Sequence, residues 1–528
     1  MADTPTRKER RAQRKLAKKA LAKDPQGGQV VKAAQAFEDG MALHQAGQLA
    51  KAEAAYRGAV TANGEFAEAH LNLGVVLHAQ GKFDAALGPI RRALTLNPAM
   101  AEAHYALAAV YQDQDNPEDA AASFTQALTI DPDFFLAHNG MGIAAQKLGN
   151  WDDAANAFDR ALTLNPGFAE AANNLGILRH KQGRLDDALT SFQRAIETRP
   201  DYAKAHRNYA HVLLAAGRLK DGWREFQWRW KCSDFPTPDR NFPHPRWSGE
   251  ALDGKTFLVW GEQGAGDEIH FSSMVPDLID QGVRVILESD RRLVPLFQRS
   301  FHGVTCIARE NPPTVPSDSD IDFQLPTADL SLWLRSEMGA FPDRRFYLVA
   351  DAGLTQKLKT QYRAGGGDML VGLAWISKNP EVGTDRSLSL MDWTGLAAIP
   401  GATFVDLQYG DTAAERQAFR DATGTAVFHD DGIDQMADLD AFAAQVAAMD
   451  LVISIDNTTV HMAGALATPV WTLLPFQSDW RWMTERQDSP WYPSMRLFRQ
   501  AQPGAWADVI DHVESALRAL TTKDLPSI

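Results

Sequence analysis

A period of 34 residues through the first two fifths of the chain restricts the fold more than any other feature. Small residues recur at Gly40, Gly74, Ala108, Gly142, Gly176 and Ala210, each 34 positions after the last. Twelve positions beyond each stand Ala52, Ala86, Ala120, Ala154, Ala188 and Gly222. Large residues follow at Tyr56, Ile90, Phe124, Phe158, Phe192 and Phe226, and Pro98, Pro132, Pro166 and Pro200 close successive copies. Such a period marks a stacked array, in which no copy buries its apolar face alone. Small residues let two helices approach, large ones fill the space between them, and Pro ends the second helix.

This small/large/Pro pattern resembles the tetratricopeptide repeat from about Gln29 to Trp230, which implies six helical hairpins over residues 29–231 stacked as an α superhelix with a concave face. Arrays of this kind more often hold a peptide or partner helix than act as spacers. Asn72, Asn174 and Asn208 share one register of the first helix, where the intervening copies hold Ala106 and Gly140. His70, His104, His138 and His206 share another, but at roughly 10 Å per stacked helix the array spreads them too far apart for one metal ion.

The 528 residues exceed one ordinary core, so several domains are expected. No stretch approaches the roughly 18 uninterrupted apolar residues of a membrane span. The net charge is −14, and residues 1–24 alone carry nine Lys or Arg against Asp3, Glu9 and Asp24. Residues 1–28 therefore read as a solvated basic tail, and the acidic body argues against nucleic acid as a partner. That tail lacks the apolar core of a secretory signal. The two cysteines, Cys232 and Cys306, lie far apart, which suits a reducing compartment; the cytoplasm is the expected location.

Past Lys231 the text changes. Pro236, Pro238, Pro243 and Pro245 mark a connector, residues 232–254. Apolar runs at 256–260, 283–287 and 321–325 then read as strands, with helical stretches near 267–280 and 291–300. After the Gly-rich 364–368 the pattern restarts, with runs at 369–375, 403–407, 451–455 and 469–474 and helices near 391–399, 438–449 and 459–466. Strands alternating with helices predict parallel sheets, here as two Rossmann-like α/β domains, residues 255–363 and 368–528, facing a cleft.

Ligands of such sheets bind beyond the carboxyl ends of the strands, so three turns draw attention. In WGEQGAGDEIHF, Gly261, Gly264 and Gly266 precede a helix that opens with Asp267 and Glu268. These acids suit helix capping and catalysis equally well. In WISKNPEVGTDRS, Ser377, Lys378, Asn379 and Arg386 bring two cations to a strand end, as a leaving phosphate requires. In LVISIDNTTVHMAGAL, Asp456 ends a strand, and the N–H groups of Thr458, Thr459 and Val460 are expected to face the cleft as an anion cradle. The triplets DSD (318–320) and DID (320–322) match a metal-binding pattern by chance in an acidic loop, and the aromatic residues of DWRW (479–482) and SPWYP (489–493) suit core packing.

Taken in order, 246–271 (RWSGEALDGKTFLVWGEQGAGDEIHF), 372–390 (GLAWISKNPEVGTDRSLSL) and 449–500, which opens MDLVISIDNTTVHMAGAL, closely resemble bacterial tetratricopeptide glycosyltransferases. Those enzymes are related to the heptosyltransferases and to the O-linked N-acetylglucosamine transferases, and include flagellin-modifying members. The resemblance implies a GT-B fold with an acceptor half and a nucleotide-sugar half. It carries the base role to Asp267, and donor contacts to Ser377, Lys378, Asn379, Arg386, Asp456, Asn457, Thr458, Thr459 and His461, with no metal and no cofactor beyond the nucleotide sugar. Asn457 and Thr458 depart from the Thr-Gly common in heptosyltransferases. It also implies that Asn72, Asn174 and Asn208 hold the backbone of an acceptor protein, flagellin being the one suggested. Two other readings remain: transfer to a lipid-linked or envelope saccharide, and a repeat scaffold with an inactive transferase half.

Overall fold

The computed structural model describes residues 25–315, 320–364, 366, 368–379 and 383–521. Residues 1–24 of the basic tail, Asp318 and Ser319 of DSD, Gly365 and Gly367, and Pro380 to Val382 of the second turn lie outside the described residues. The chain forms two compact units, one of Met1–Leu178 with Arg194–Pro200, the other of Arg179–Gln193 with Asp201–Ile528.

The first unit consists of helical hairpins. Pro25–Gln45 pairs with Leu49–Ala62, Ala67–Ala79 with Phe83–Leu96, Ala101–Asp113 with Pro117–Ile130, and Phe135–Lys147 with Trp151–Leu164. The 34-residue period has a direct steric cause. A Cβ on Gly40 would stand 2.7 Å from the Tyr56 ring, one on Gly74 2.3 Å from Ile90, and one on Gly142 2.5 Å from Phe158. Each small residue is thus the socket for the large residue sixteen positions on, and Tyr56, Ile90 and Phe158 are fully buried. The shared histidine register also has a structural role. His70, His104 and His138 each place Nε2 on the carbonyl oxygen six residues earlier, at 3.1, 3.1 and 2.8 Å, and so clamp the turn before their own helix.

The second unit holds the last helical hairpin, Ala203–Ala215 with Leu219–Phe226, and both sheets. The repeats therefore do not separate from the α/β region at Lys231, because aromatic packing carries the core across that point. The Trp223 ring stands edge-on to Trp480 at 5.1 Å and to Trp491 at 6.4 Å, and its indole N–H donates to the Arg335 carbonyl at 2.9 Å. Behind it, buried Arg229 holds Glu262 with two hydrogen bonds, at 2.9 and 2.7 Å, and Asp329 at 2.7 Å. Apolar residues from Ala210 to Leu497 share one continuous core here.

The first sheet contains β1 (Thr256–Trp260), β2 (Arg284–Ser289), β3 (Thr305–Ala308) and β4 (Phe323–Pro326), in the order β3-β2-β1-β4. The second contains β5 (Met369–Ala374), β6 (Ala402–Asp406), β7 (Val427–Phe428), β8 (Leu451–Ile455), β9 (Val470–Leu474) and β10 (Met495–Arg499), in the order β10-β9-β8-β5-β6-β7. Among the described residues the pairings between these strands are parallel, as near-continuous apolar runs buried on both faces require. The strand order reverses beside β1 in the first sheet and between β5 and β8 in the second. The three strands whose following turns carry the candidate residues flank those reversals, and ligands of parallel sheets bind outside the carboxyl ends of such strands.

Trp223→Ala tests whether the last hairpin belongs to the α/β core. Loss of this buried indole is expected to cost about 3–5 kcal/mol. In urea unfolding, the α/β transition should move to lower denaturant while the helical transition of the first unit stays in place. An unshifted α/β midpoint would contradict this anchoring.

Candidate functional site

The turn after β1 leads into the helix Ala265–Ser272 with Gly264 at its N-cap. Asp267 sits in the first turn, where its Oδ2 accepts the Gly264 N–H at 3.1 Å, so the capping reading holds. Its Oδ1 accepts from Arg481 Nη2 at 2.5 Å. Glu268 turns the other way, is 2% exposed, forms an ion pair with Arg309 and accepts the Asp290 N–H at 2.8 Å. Burial pushes its carboxyl up to about 7 despite Arg309. Packing explains two of the glycines. A Cβ on Gly261 would stand 2.5 Å from the Glu268 carboxyl carbon, and one on Gly266 would stand 3.2 Å from Thr458 Oγ1 and 3.3 Å from His461. Gly266 is therefore a point of close approach between the two halves.

The turn after β5 is held from β6. Gln408 Oε1 accepts the N–H groups of Trp375 and Ile376 at 2.9 and 2.7 Å, and the Tyr409 hydroxyl accepts the Lys378 N–H at 2.7 Å. Ser377 donates its N–H to Ser387 Oγ at 2.9 Å, and its own hydroxyl accepts the Asn379 N–H at 3.4 Å. Lys378 and Asn379 are exposed, and the Lys378 ammonium leans towards the Tyr409 ring, 5.7 Å from its centroid. Arg386 crosses to the turn after β8, where its Nη1 donates to Asp456 Oδ2 at 3.1 Å. That pair bridges the strand-order reversal between β5 and β8. Burial pushes the Asp456 carboxyl above its ordinary value, and Arg386 works against that shift.

After β8 the structure departs from the expected anion cradle. Asn457 caps the helix Thr458–Ala465, its Oδ1 accepting the Thr459 N–H at 2.9 Å and the Ser454 hydroxyl at 3.1 Å, while its carbonyl accepts the Val460 N–H at 3.2 Å. Two of the three N–H groups assigned to the cradle are thus satisfied within the turn, because Asn at the cap competes with any ligand for them. Asp456, Asn457, Thr459 and His461 are buried, which leaves Thr458 as the half-open side chain of this turn.

His461 is also a packing residue. Its Nδ1 meets the Tyr492 hydroxyl at 2.9 Å, its ring stacks on Trp482 at 5.3 Å, and burial pushes it down to about 3. His270, from the first sheet's side, meets the same hydroxyl at 3.1 Å and is held well below its ordinary value by burial. One phenol thus joins two neutral imidazoles from opposite halves. DWRW and SPWYP pack as expected, since Trp480, Trp482, Trp491 and Tyr492 are all buried.

Sequence reading did not single out Arg481, which touches Asp267 directly. It follows β9, and the strand-end rule applied to a fourth turn would have found it. On the repeats, Asn72 Nδ2 donates to the Glu68 carbonyl at 2.9 Å and Asn174 Nδ2 to Asn139 Oδ1 at 3.0 Å; both are half-buried, with Asn208 at the matching register of the last hairpin. Of the acidic triplet DID, Asp322 accepts from Lys255 Nζ at 3.0 Å and from the Thr256 N–H at 2.9 Å, which is a strand-edge role.

The neutral His461 makes a prediction with a definite sign. Its folded value, about 3, lies below the ordinary 6.5, so the unfolded chain binds the proton more readily between these limits. Stability should therefore fall as pH drops below about 6.5, by up to about 1.4 kcal/mol per pH unit from this group. Melting temperature followed from pH 7 to 4 should show a shallower slope for His461→Gln than for the natural chain. Equal slopes would mean that His461 is not held neutral.

The sequence pattern of the tetratricopeptide repeat matches residues 37–99, 139–203 and 181–222, and a second pattern of the same repeat matches 101–134. Protein FlbA of Caulobacter vibrioides is 34% identical over 311 residues, covering 56% of this chain and 52% of FlbA. The chain thus spans about half the length of that curated relative. Among solved structures it is similar to the MamA protein, with 23% identity, TM-score 0.29, and 33% of this chain and 94% of that one covered. It is also similar to TTC0263, a thermophilic tetratricopeptide protein of Thermus thermophilus, with 23% identity, TM-score 0.31, and 34% and 99% covered. For YrrB, described as a tetratricopeptide protein with an unusual peptide-binding site, the figures are 22% identity, TM-score 0.30, and 36% and 94% covered. The chain carries tetratricopeptide repeats followed by a region of parallel-sheet α/β elements, and among the described residues no helix is long and apolar enough to cross a membrane.

Proposed function

We propose that the chain is a glycosyltransferase of GT-B type that moves a sugar from a nucleotide sugar to a protein hydroxyl of Ser or Thr, with the repeats selecting the acceptor. The observation that carries this reading is the convergence of turns at two strand-order reversals. The turn after β1 brings Asp267, the turns after β5 and β8 bring Arg386 and Asp456, and Arg481 links the two halves through Asp267. A carboxylate from one half set opposite cations from the other suits displacement at an anomeric carbon.

In this reaction Asp267 accepts the proton of the acceptor hydroxyl as its oxygen attacks the anomeric carbon. The bond from that carbon to the phosphate oxygen breaks, and the nucleotide leaves with the electron pair. Arg386 and Lys378 offset the charge that develops on the leaving phosphate. One displacement from the far face inverts the anomeric centre. Flagellin is the acceptor suggested by the resemblance to flagellin-modifying transferases, and half-buried Asn72 and Asn174, with Asn208, are the residues assigned to an extended acceptor segment.

Full-length protein with a panel of nucleotide sugars and a candidate acceptor tests this. Asp267→Asn should abolish transfer while the far-ultraviolet circular dichroism stays unchanged; retained transfer would rule out Asp267 as base. Lys378→Ala, which removes an exposed cation, should weaken donor binding about tenfold and leave acceptor binding in place, as the loss of one charge-assisted contact implies. Weakened acceptor binding instead would reassign this turn.

A further inference from the structure

Both carboxylate oxygens of Asp267 are engaged in the geometry described above. One oxygen caps its own helix through Gly264, and the other closes the ion pair with Arg481. An acceptor hydroxyl must therefore share an oxygen that one of these contacts already engages.

Arg481 is built to lose that contact without losing its place. It is 8% exposed, and its Nη1 donates to Asp479 Oδ1 at 2.9 Å, so a second carboxylate holds it from its own turn. Its guanidinium lies over the Trp480 ring, 4.3 Å from the centroid, and Trp480 is in turn held by Trp223 at 5.1 Å and Phe226 at 5.8 Å. Its buried Nε has no hydrogen-bond partner among the described residues. Asp479 and the Trp480 ring thus fix the guanidinium from its own turn, and Asp267 adds a contact from the opposite half. Asp456, on the turn assigned to the donor, feels the charges of both Arg481 and Asp479. A phosphate oxygen has the charge and geometry to replace a carboxylate oxygen on the same fork.

We propose, on the basis of the glycosyltransferase reading, that Arg481 exchanges Asp267 for a phosphate of the bound nucleotide sugar, so that Asp267 becomes available as base only when the donor is in place. The proton balance is that of the transfer itself: the carboxylate, once released, takes the hydroxyl proton, and the nucleotide departs on Arg481 and Arg386. Arg481 is a positioning residue for the base and a direct contact of the leaving group. The exchange couples donor binding to catalysis and limits proton abstraction when no sugar is poised to receive the attack.

The test is a binding measurement by titration calorimetry on the full-length chain, with uridine, guanosine, adenosine and thymidine diphosphate sugars as probes. If Asp267 competes with the donor for Arg481, Asp267→Asn should bind the same donor about three- to tenfold more tightly although it cannot transfer it. In an Arg481→Lys background the same Asp267→Asn change should bring no tightening, because the fork that the two anions share is gone. Unchanged or weaker binding by Asp267→Asn overturns the exchange, and so does tightening that survives in the Arg481→Lys background, which would reduce the effect to the removal of one negative charge. Should Arg481→Lys fail to fold, Arg481→Gln takes its place, and the step from Arg481→Gln to its double variant with Asp267→Asn should likewise bring no tightening. If the natural chain binds none of these probes and no cytidine monophosphate sugar either, the glycosyltransferase reading fails with it. If it binds one and the variants show no coupling, the exchange alone fails.

Discussion

The guanidinium of Arg481 answers to Asp479 on its own turn and to Asp267 from the opposite half, and the site's geometry turns on this sharing. Burying a cation is costly, and a buried ion pair adds little net stability over a well-packed apolar substitute. Removing one partner is another matter, since an uncompensated buried charge costs about 3–5 kcal/mol. The chain therefore gains little stability from Arg481 and a great deal of geometric definition. The halves come together in the register in which Asp267 meets this fork and Gly266 meets Thr458. Tyr492, shared between His270 and His461, enforces the same register with neutral groups.

The last helical hairpin takes part in this arrangement. Trp480 sits between Trp223 and Phe226, so the turn that carries Asp479 and Arg481 is fastened to that hairpin. This fastening places residues of the last repeat in the same compact unit as both sheets. The last repeat and the turn that carries Arg481 thus share one support.

Much of this was legible in the sequence, for reasons that differ from element to element. The repeats were legible because each Gly or Ala socket and its large partner recur at a fixed spacing, a constraint imposed by close packing. β1 and β8 match the expected runs 256–260 and 451–455 in full, because both are central strands and wholly apolar in their burial. β3, β7 and β10 were missed. β7 has two residues, and β3 and β10 lie at sheet edges, where Arg496 and Thr305 remain exposed and break the apolar run. The turn residues were legible as strand ends, but their side-chain partners were not. Nothing in DNTT says that Asn457 keeps the Thr459 and Val460 N–H groups for itself, and nothing in DWRW says that Arg481 reaches a carboxylate 214 residues away in the chain. Contacts between distant turns are set by the packing of whole sheets, and a single sequence does not display them.

The proposed function makes the turns at the strand-order reversals a nucleotide-sugar site. Hydrogen exchange of the full-length chain, with and without a saturating nucleotide sugar, tests it most directly. A bound donor should slow exchange in three backbone stretches, 261–268, 375–379 with 383–387, and 456–461, together with the turn 479–482. Protection confined to the repeats, or to the edge of the second sheet around 485–499, would contradict it.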